Sequence, residues 1–161
     1  MQTLQVLGPD VYNLIFLLDR FIEYITPQIE ESCGYTFHPK PHVEALAHRR
    51  ATFRFPFQGV AEVKDNVILL PLSYLREQAS LIGPDTLRMP EYVNPEIRGE
   101  YAPIPNDLAD TVVHEIAHLI DIHKNGKADT VAKAHRESWR RTYRRLCVVL
   151  GMKPNFAVQL I

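Results

Sequence analysis

Apolar residues return every three or four positions near the start of the chain, at Val11, Leu14, Ile15, Leu18, Phe21, Ile22 and Ile25, which predicts a helix with one face on a core. Gly8-Pro9-Asp10 opens it, because proline fits the first turn, where its missing N–H would be unpaired anyway. Pro27 ends or bends this helix, and Gly34 marks its outer limit. Over residues 42–70 the pattern shortens towards alternation. Thr52-Phe53-Arg54-Phe55 and Val60-Ala61-Glu62-Val63 read as strands, and Lys64-Asp65-Asn66 as a turn into a third, Val67-Ile68-Leu69-Leu70. A small, mainly antiparallel sheet is expected, with Pro56 and Pro71 at strand ends or edges, where no ladder donor is lost.

Residues 83–106 carry Pro84, Pro90, Pro95, Pro103 and Pro105 and show no period. An irregular segment of this length serves as a lid or as a covering loop. Helical spacing resumes with Leu108, Val112, Val113, Ile116, Ala117, Leu119 and Ile120, behind Asn106 or Asp107 as N-cap and ahead of Asn125-Gly126 as a stop. A last helix, about residues 129–150, turns His135, Trp139, Thr142, Leu146 and Val149 or Leu150 to one side. The element order is that of an α+β protein.

At 161 residues the chain is expected to form a single domain over residues 1–161, large enough to bury about 70% of its unfolded surface. Hydrophobic content of 46% and a formal charge of −1 describe an ordinary globular protein whose global charge attracts no polyanion. The apolar run at residues 11–18 is too short to span a bilayer and lacks the basic flank of a signal peptide, so a cytoplasmic protein without a membrane partner is expected. Cys33 and Cys147 are too few and too isolated for a thiolate metal site, and free thiols are expected.

The chemistry lies in His114-Glu115-Ile116-Ala117-His118. On a helix, positions i and i+4 share a face one turn apart, so both imidazoles reach one metal ion. Glu115, rotated by about 100° from His114, falls beside that ion as a general base for a water. A catalytic zinc site needs a third protein ligand, and Asp121, His123, His135 and Glu137 are the downstream candidates. His123 has the wrong spacing for the extended motif, in which a glycine three residues after the second histidine precedes the third by three more. Asp121, one turn after His118, is placed to ligate or to hold a ligand imidazole from behind. Tyr92 and Tyr101 are candidate donors to a developing oxyanion.

The motif, the short loop after it, His135-Arg136-Glu137-Ser138-Trp139 on the next segment and Leu150-Gly151-Met152-Lys153-Pro154 resemble the SprT-like metallopeptidases, which include the Spartan proteases acting on proteins bound or crosslinked to DNA. Asn66-Val67-Ile68-Leu69-Leu70 resembles the strand before the motif helix, and Pro71-Leu72-Ser73-Tyr74-Leu75 the turn and short helix after that strand. The resemblance covers about residues 66–154. It implies a zincin-like minimal metallopeptidase domain, with an edge strand along the cleft and a C-terminal helix carrying the third ligand. It further implies His114, His118 and His135 as ligands of one zinc ion per chain, with Glu115 as the catalytic base. Arg136 stands where the family has glycine, which keeps Glu137 as a substitute ligand, and a cysteine-rich zinc ribbon is not expected.

Arg136, Arg140, Arg141, Arg144 and Arg145 concentrate positive charge on the other faces of the last helix and are candidate phosphate contacts. The expected function is a zinc-dependent endopeptidase acting on protein or peptide substrates, with DNA-associated proteins favoured. The residues also leave open a regulatory protease that cleaves one repressor or partner, and a zinc-stabilised binding or scaffold domain with little turnover. They set no oligomeric state.

Overall fold

A computed structural model describes residues 7–47, 59–88, 103–130 and 133–156. Among them lie five helices and three strands: α1 (Pro9–Cys33), β1 (His42–Leu46), β2 (Val60–Glu62), β3 (Val67–Pro71), α2 (Leu72–Ile82), α3 (Pro84–Leu87), α4 (Asn106–Asn125) and α5 (Glu137–Leu150). The architecture is mixed α+β.

α1 runs on through Pro27 to a left-handed cap at Gly34. A proline inside a helix costs about 3 kcal/mol. Ile25 and Ile29 lie on either side of it and are both buried, so apolar burial across the proline offsets the missing hydrogen bond. The helix packs on α2, β1 and α5, and Leu14, Leu18, Phe21 and Ile22 are among its buried residues. Asp19 ties it to the sheet by accepting the Val43 N–H at 2.9 Å. Burial pushes the Asp19 carboxyl up to about 6, against the pull of that hydrogen bond.

The sheet has the order β1-β3-β2. β2 pairs antiparallel with β3 through the turn expected at Lys64-Asp65-Asn66, with Asn66 in the left-handed region (φ 54°). β1, in contrast, runs parallel to β3, from His42 opposite Val67 to Leu46 opposite Pro71. Among the described residues the sheet is therefore mixed, with one parallel and one antiparallel pair. Parallel neighbours need a crossover of a dozen or more residues, and the chain between Leu46 and Val67, which includes β2, is long enough to supply one. β3 is central and buried from Val67 to Leu70, as a strand covered on both faces should be. The strand expected at Thr52-Phe53-Arg54-Phe55 lies outside the described residues. Of the proline-rich segment, Pro84 opens α3, and Pro103 and Pro105 lead into α4.

α4 occupies the centre, packed on α5, β2 and β3. Every residue from Leu108 to Asp121 is buried, including Asp110, Thr111, His114, Glu115, His118 and Asp121. A helix buried all round is normally apolar all round, and buried polar side chains need partners. This density of polar groups in a central helix is the departure from core chemistry that marks the site. No helix among the described residues is long and apolar enough to cross a membrane. Cys33 and Cys147 are both free thiols.

Candidate metal centre

His114, His118 and His135 bring one ring nitrogen each to a common point, all within 4.8 Å of one another. His114 Nε2 and His135 Nε2 stand 3.0 Å apart. Three nitrogens at about 2.05 Å from a tetrahedral zinc are separated by about 3.3 Å, so the cluster fits such an ion with small side-chain rotations. Burial and the neighbouring His135 hold His114 down to about 3. His118 is well below the imidazole range through burial, His114, His135 and Arg136, and His135 is lowered by burial and Arg140. All three rings are thus neutral at neutral pH and present lone pairs, the state a divalent cation requires. No other such group of His, Cys, Asp or Glu occurs among the described residues.

His135 does not ride on the last helix. α5 begins at Glu137, after an extended Arg136 (φ −64°, ψ 170°), so the third imidazole comes from the turn that precedes the helix. The helical pattern of residues 129–150 does not reveal this, because Arg136 uses its side chain to reach back to α4. Its Nε donates to Asp121 Oδ2 at 2.9 Å and its Nη2 to the Gly126 carbonyl. Arg136 is therefore engaged inside the protein and differs from the exposed arginines of α5, whose charge it was expected to join. Asp121 accepts from Arg136 and from Asn125 Nδ2 (3.0 Å), with no imidazole among those partners. Glu137 is exposed in the first turn of α5, outside the cluster. His123 lies elsewhere, its Nε2 2.9 Å from Asn66 Oδ1. Tyr92 and Tyr101 lie outside the described residues.

Trp139 forms the floor. Its ring is fully buried, stacks on His118 at 5.0 Å and 25°, and meets His114 and His135 at 4.6 and 4.7 Å between centroids. Its Nε1 donates to the His114 carbonyl at 3.3 Å, which gives the buried indole N–H a partner and fixes the ring under the three imidazoles. The inward residue one turn on is Tyr143, not Thr142, whose hydroxyl donates to the Ser138 carbonyl. Tyr143 stacks on Trp139 at 5.0 Å and 7°. Its hydroxyl donates to Asp110 Oδ1 and accepts the Asn155 N–H at 2.8 Å. Burial pushes Asp110 up to about 6 despite the Tyr143 hydrogen bond, and burial followed by Asp110 raises the Tyr143 phenol. The sequence carries a signal for Asp110, which precedes His114 by one turn on the same face. Tyr143 has none beyond its apolar spacing.

Glu115 is 5% exposed, with Oε1 3.9 Å from His114 Nε2. Burial raises its carboxyl to about 8, opposed by a hydrogen bond from the Ala61 N–H of β2. β2 can come this close because residue 59 is glycine. A Cβ there would meet Leu70 Cδ2 at 3.0 Å and Glu115 Cγ at 3.2 Å. An isolated glycine just before a strand is the sequence sign of such an approach, although the alternation that predicts β2 does not by itself point to it. Arg140, Arg141, Arg144 and Arg145 are exposed on α5, with Arg144 over the Phe156 ring (5.1 Å) and Arg145 Nε donating to Ser32 Oγ at 3.2 Å. Comparison of the chain with protein-family models, curated proteins and solved structures found no match.

Proposed function

We propose that this chain is a zinc-dependent endopeptidase of SprT-like type. The observation that carries the reading is the convergence of three neutral imidazoles with the carboxyl of Glu115 beside them. Three nitrogen donors from protein would leave a tetrahedral zinc its fourth position, as in a catalytic site and unlike a closed structural one. Bound zinc supplies Lewis acidity towards a carbonyl and lowers the pKa of water. In its ionised form, which a cation beside it favours over the protonated form that burial alone imposes, Glu115 would take the proton of the attacking water and return it to the leaving amine. Trp139 keeps the imidazoles in register and closes the floor of the site to solvent. β2, at the edge of the described sheet and beside Glu115, offers an extended peptide main-chain pairing with little demand on its side chains.

The protein is expected to carry about one zinc per chain, measured by elemental analysis of the native protein. His118→Ala and His135→Ala should each remove it, and Glu137→Ala should not. Full retention by either histidine variant would discard the site, and zinc without proteolysis would leave a metal-stabilised binding domain.

DNA-associated proteins are the proposed substrates. The supporting feature is the exposed group Arg140, Arg141, Arg144 and Arg145, able to meet phosphate without reading bases. Replacing all four is expected to weaken binding to single-stranded DNA and to reduce the salt slope by about one unit for each phosphate no longer neutralised, with zinc content unchanged. Equal affinity in wild type and variant would detach the enzyme from nucleic acid.

A further inference from the structure

Arg136 starts α5 with its backbone and grips α4 with its side chain. Its carbonyl accepts the Arg140 N–H at 3.0 Å, the first rung of the helix, while its guanidinium turns back to Asp121 and Gly126. Asp121 is 1% exposed, and a carboxylate so buried persists only with a charged or hydrogen-bonding partner. Gly126 has φ 76° and ψ 168°, a region that essentially only glycine enters, and its carbonyl in that conformation meets Arg136.

The residue before Arg136 is His135, which sits on a turn without a helical ladder of its own, yet stands 3.0 Å from His114. A ligand on a turn needs an anchor, and the anchor must belong to the segment that carries the other two ligands. Asp121 meets that condition. It follows His118 by three residues on α4, so the Arg136 ion pair ties the turn to the same rigid helix.

We propose that Arg136, held between Asp121 and the Gly126 carbonyl, is the positioning residue of the third ligand, fixing His135 against His114 and His118 before any metal arrives. The inference rests on the three-histidine zinc reading. The clamp touches no metal and no substrate, and it acts through the backbone it shares with His135. Partners of this outer kind typically change metal affinity by about 10–100-fold when removed.

The test uses the full chain, stripped of metal and titrated with Zn²⁺ against a chromophoric chelator. A parallel titration uses Co²⁺, whose visible absorption reports the number and symmetry of its ligands. Arg136→Gln and Asp121→Asn are each expected to weaken zinc about 10–100-fold and to shift the cobalt spectrum towards that of His135→Ala. The double variant should lose little more than either single one, because both break the same link. Arg136→Lys, which keeps a charge opposite Asp121 but not the forked donor, should recover part of the affinity. Wild-type affinity together with an unchanged cobalt spectrum in Arg136→Gln and Arg136→Lys would overturn the clamp. So would fully additive losses in the double variant. Should Arg136→Gln not fold, the spectrum and affinity of Arg136→Lys decide alone. A wild type that takes up neither ion would instead overturn the zinc reading itself, an outcome separate from variants that bind as well as wild type.

Discussion

Exchanging Glu115 for glutamine is expected to lower proteolysis by about a hundredfold or more with zinc content unchanged. The amide is nearly isosteric, so it preserves the buried shape between β2 and His114, but it cannot take a proton from water. Cleavage of a quenched fluorescent protein substrate by the zinc-loaded variant measures this, and wild-type turnover would assign the proton transfer to another group. The same substitution has a signature in the metal-free protein. Burial raises the Glu115 carboxyl from 4.5 to about 8, so the folded state holds its proton more tightly than the unfolded chain does. That contribution is fully present below about pH 4.5 and is lost as pH rises through about 8. At pH 7 it amounts to a penalty on the order of 3 kcal/mol. Metal-free Glu115→Gln should therefore unfold at higher urea than wild type at pH 8 and at similar urea near pH 4.

Trp139→Ala should be the most damaging substitution for stability, by about 3–5 kcal/mol. The ring is fully buried and stacked between the imidazoles and Tyr143, so truncation leaves a cavity whose walls include both segments that carry the histidines. Trp139→Phe should cost less, because it keeps an aromatic face but leaves the His114 carbonyl without its indole donor. Urea unfolding of the metal-free proteins separates these costs from those of zinc binding. A cost below about 1 kcal/mol for Trp139→Ala would show that the site has no need of its floor.

Two of the helices, α1 and α4, are legible in the sequence because they bury long, regular stripes. The period of Val11 to Ile25 and of Leu108 to Ile120 reproduces the cores of α1 and α4, and Asn125-Gly126 ends α4 as its composition implies. Pro27 does not end α1, because apolar packing on both sides of it outweighs local propensity, and the helix runs to Gly34, the outer limit its sequence marks. β1 escapes notice because His42 and Glu44 interrupt a five-residue strand whose buried face is only Val43 and Ala45. Its parallel pairing belongs to tertiary structure and leaves no local mark. At the site, the i, i+4 spacing places His114 and His118 together, since helix geometry alone decides that pair. The position of His135 before α5 depends on Arg136 meeting Asp121 across fifteen residues of chain, an encounter that no periodicity encodes.

Trp139 also gives the molecule an optical consequence. It is the only tryptophan in the chain, and its ring lies 4.6–5.0 Å from each of the three imidazoles. Indole emission responds to the charge and electron demand of whatever stacks against it, so any event at these rings is written into one unmixed signal. Arrival of the proposed metal ion, protonation of the imidazoles and loosening of His135 should all alter the same fluorophore. Its fluorescence should therefore report the state of the three-histidine cluster without a label.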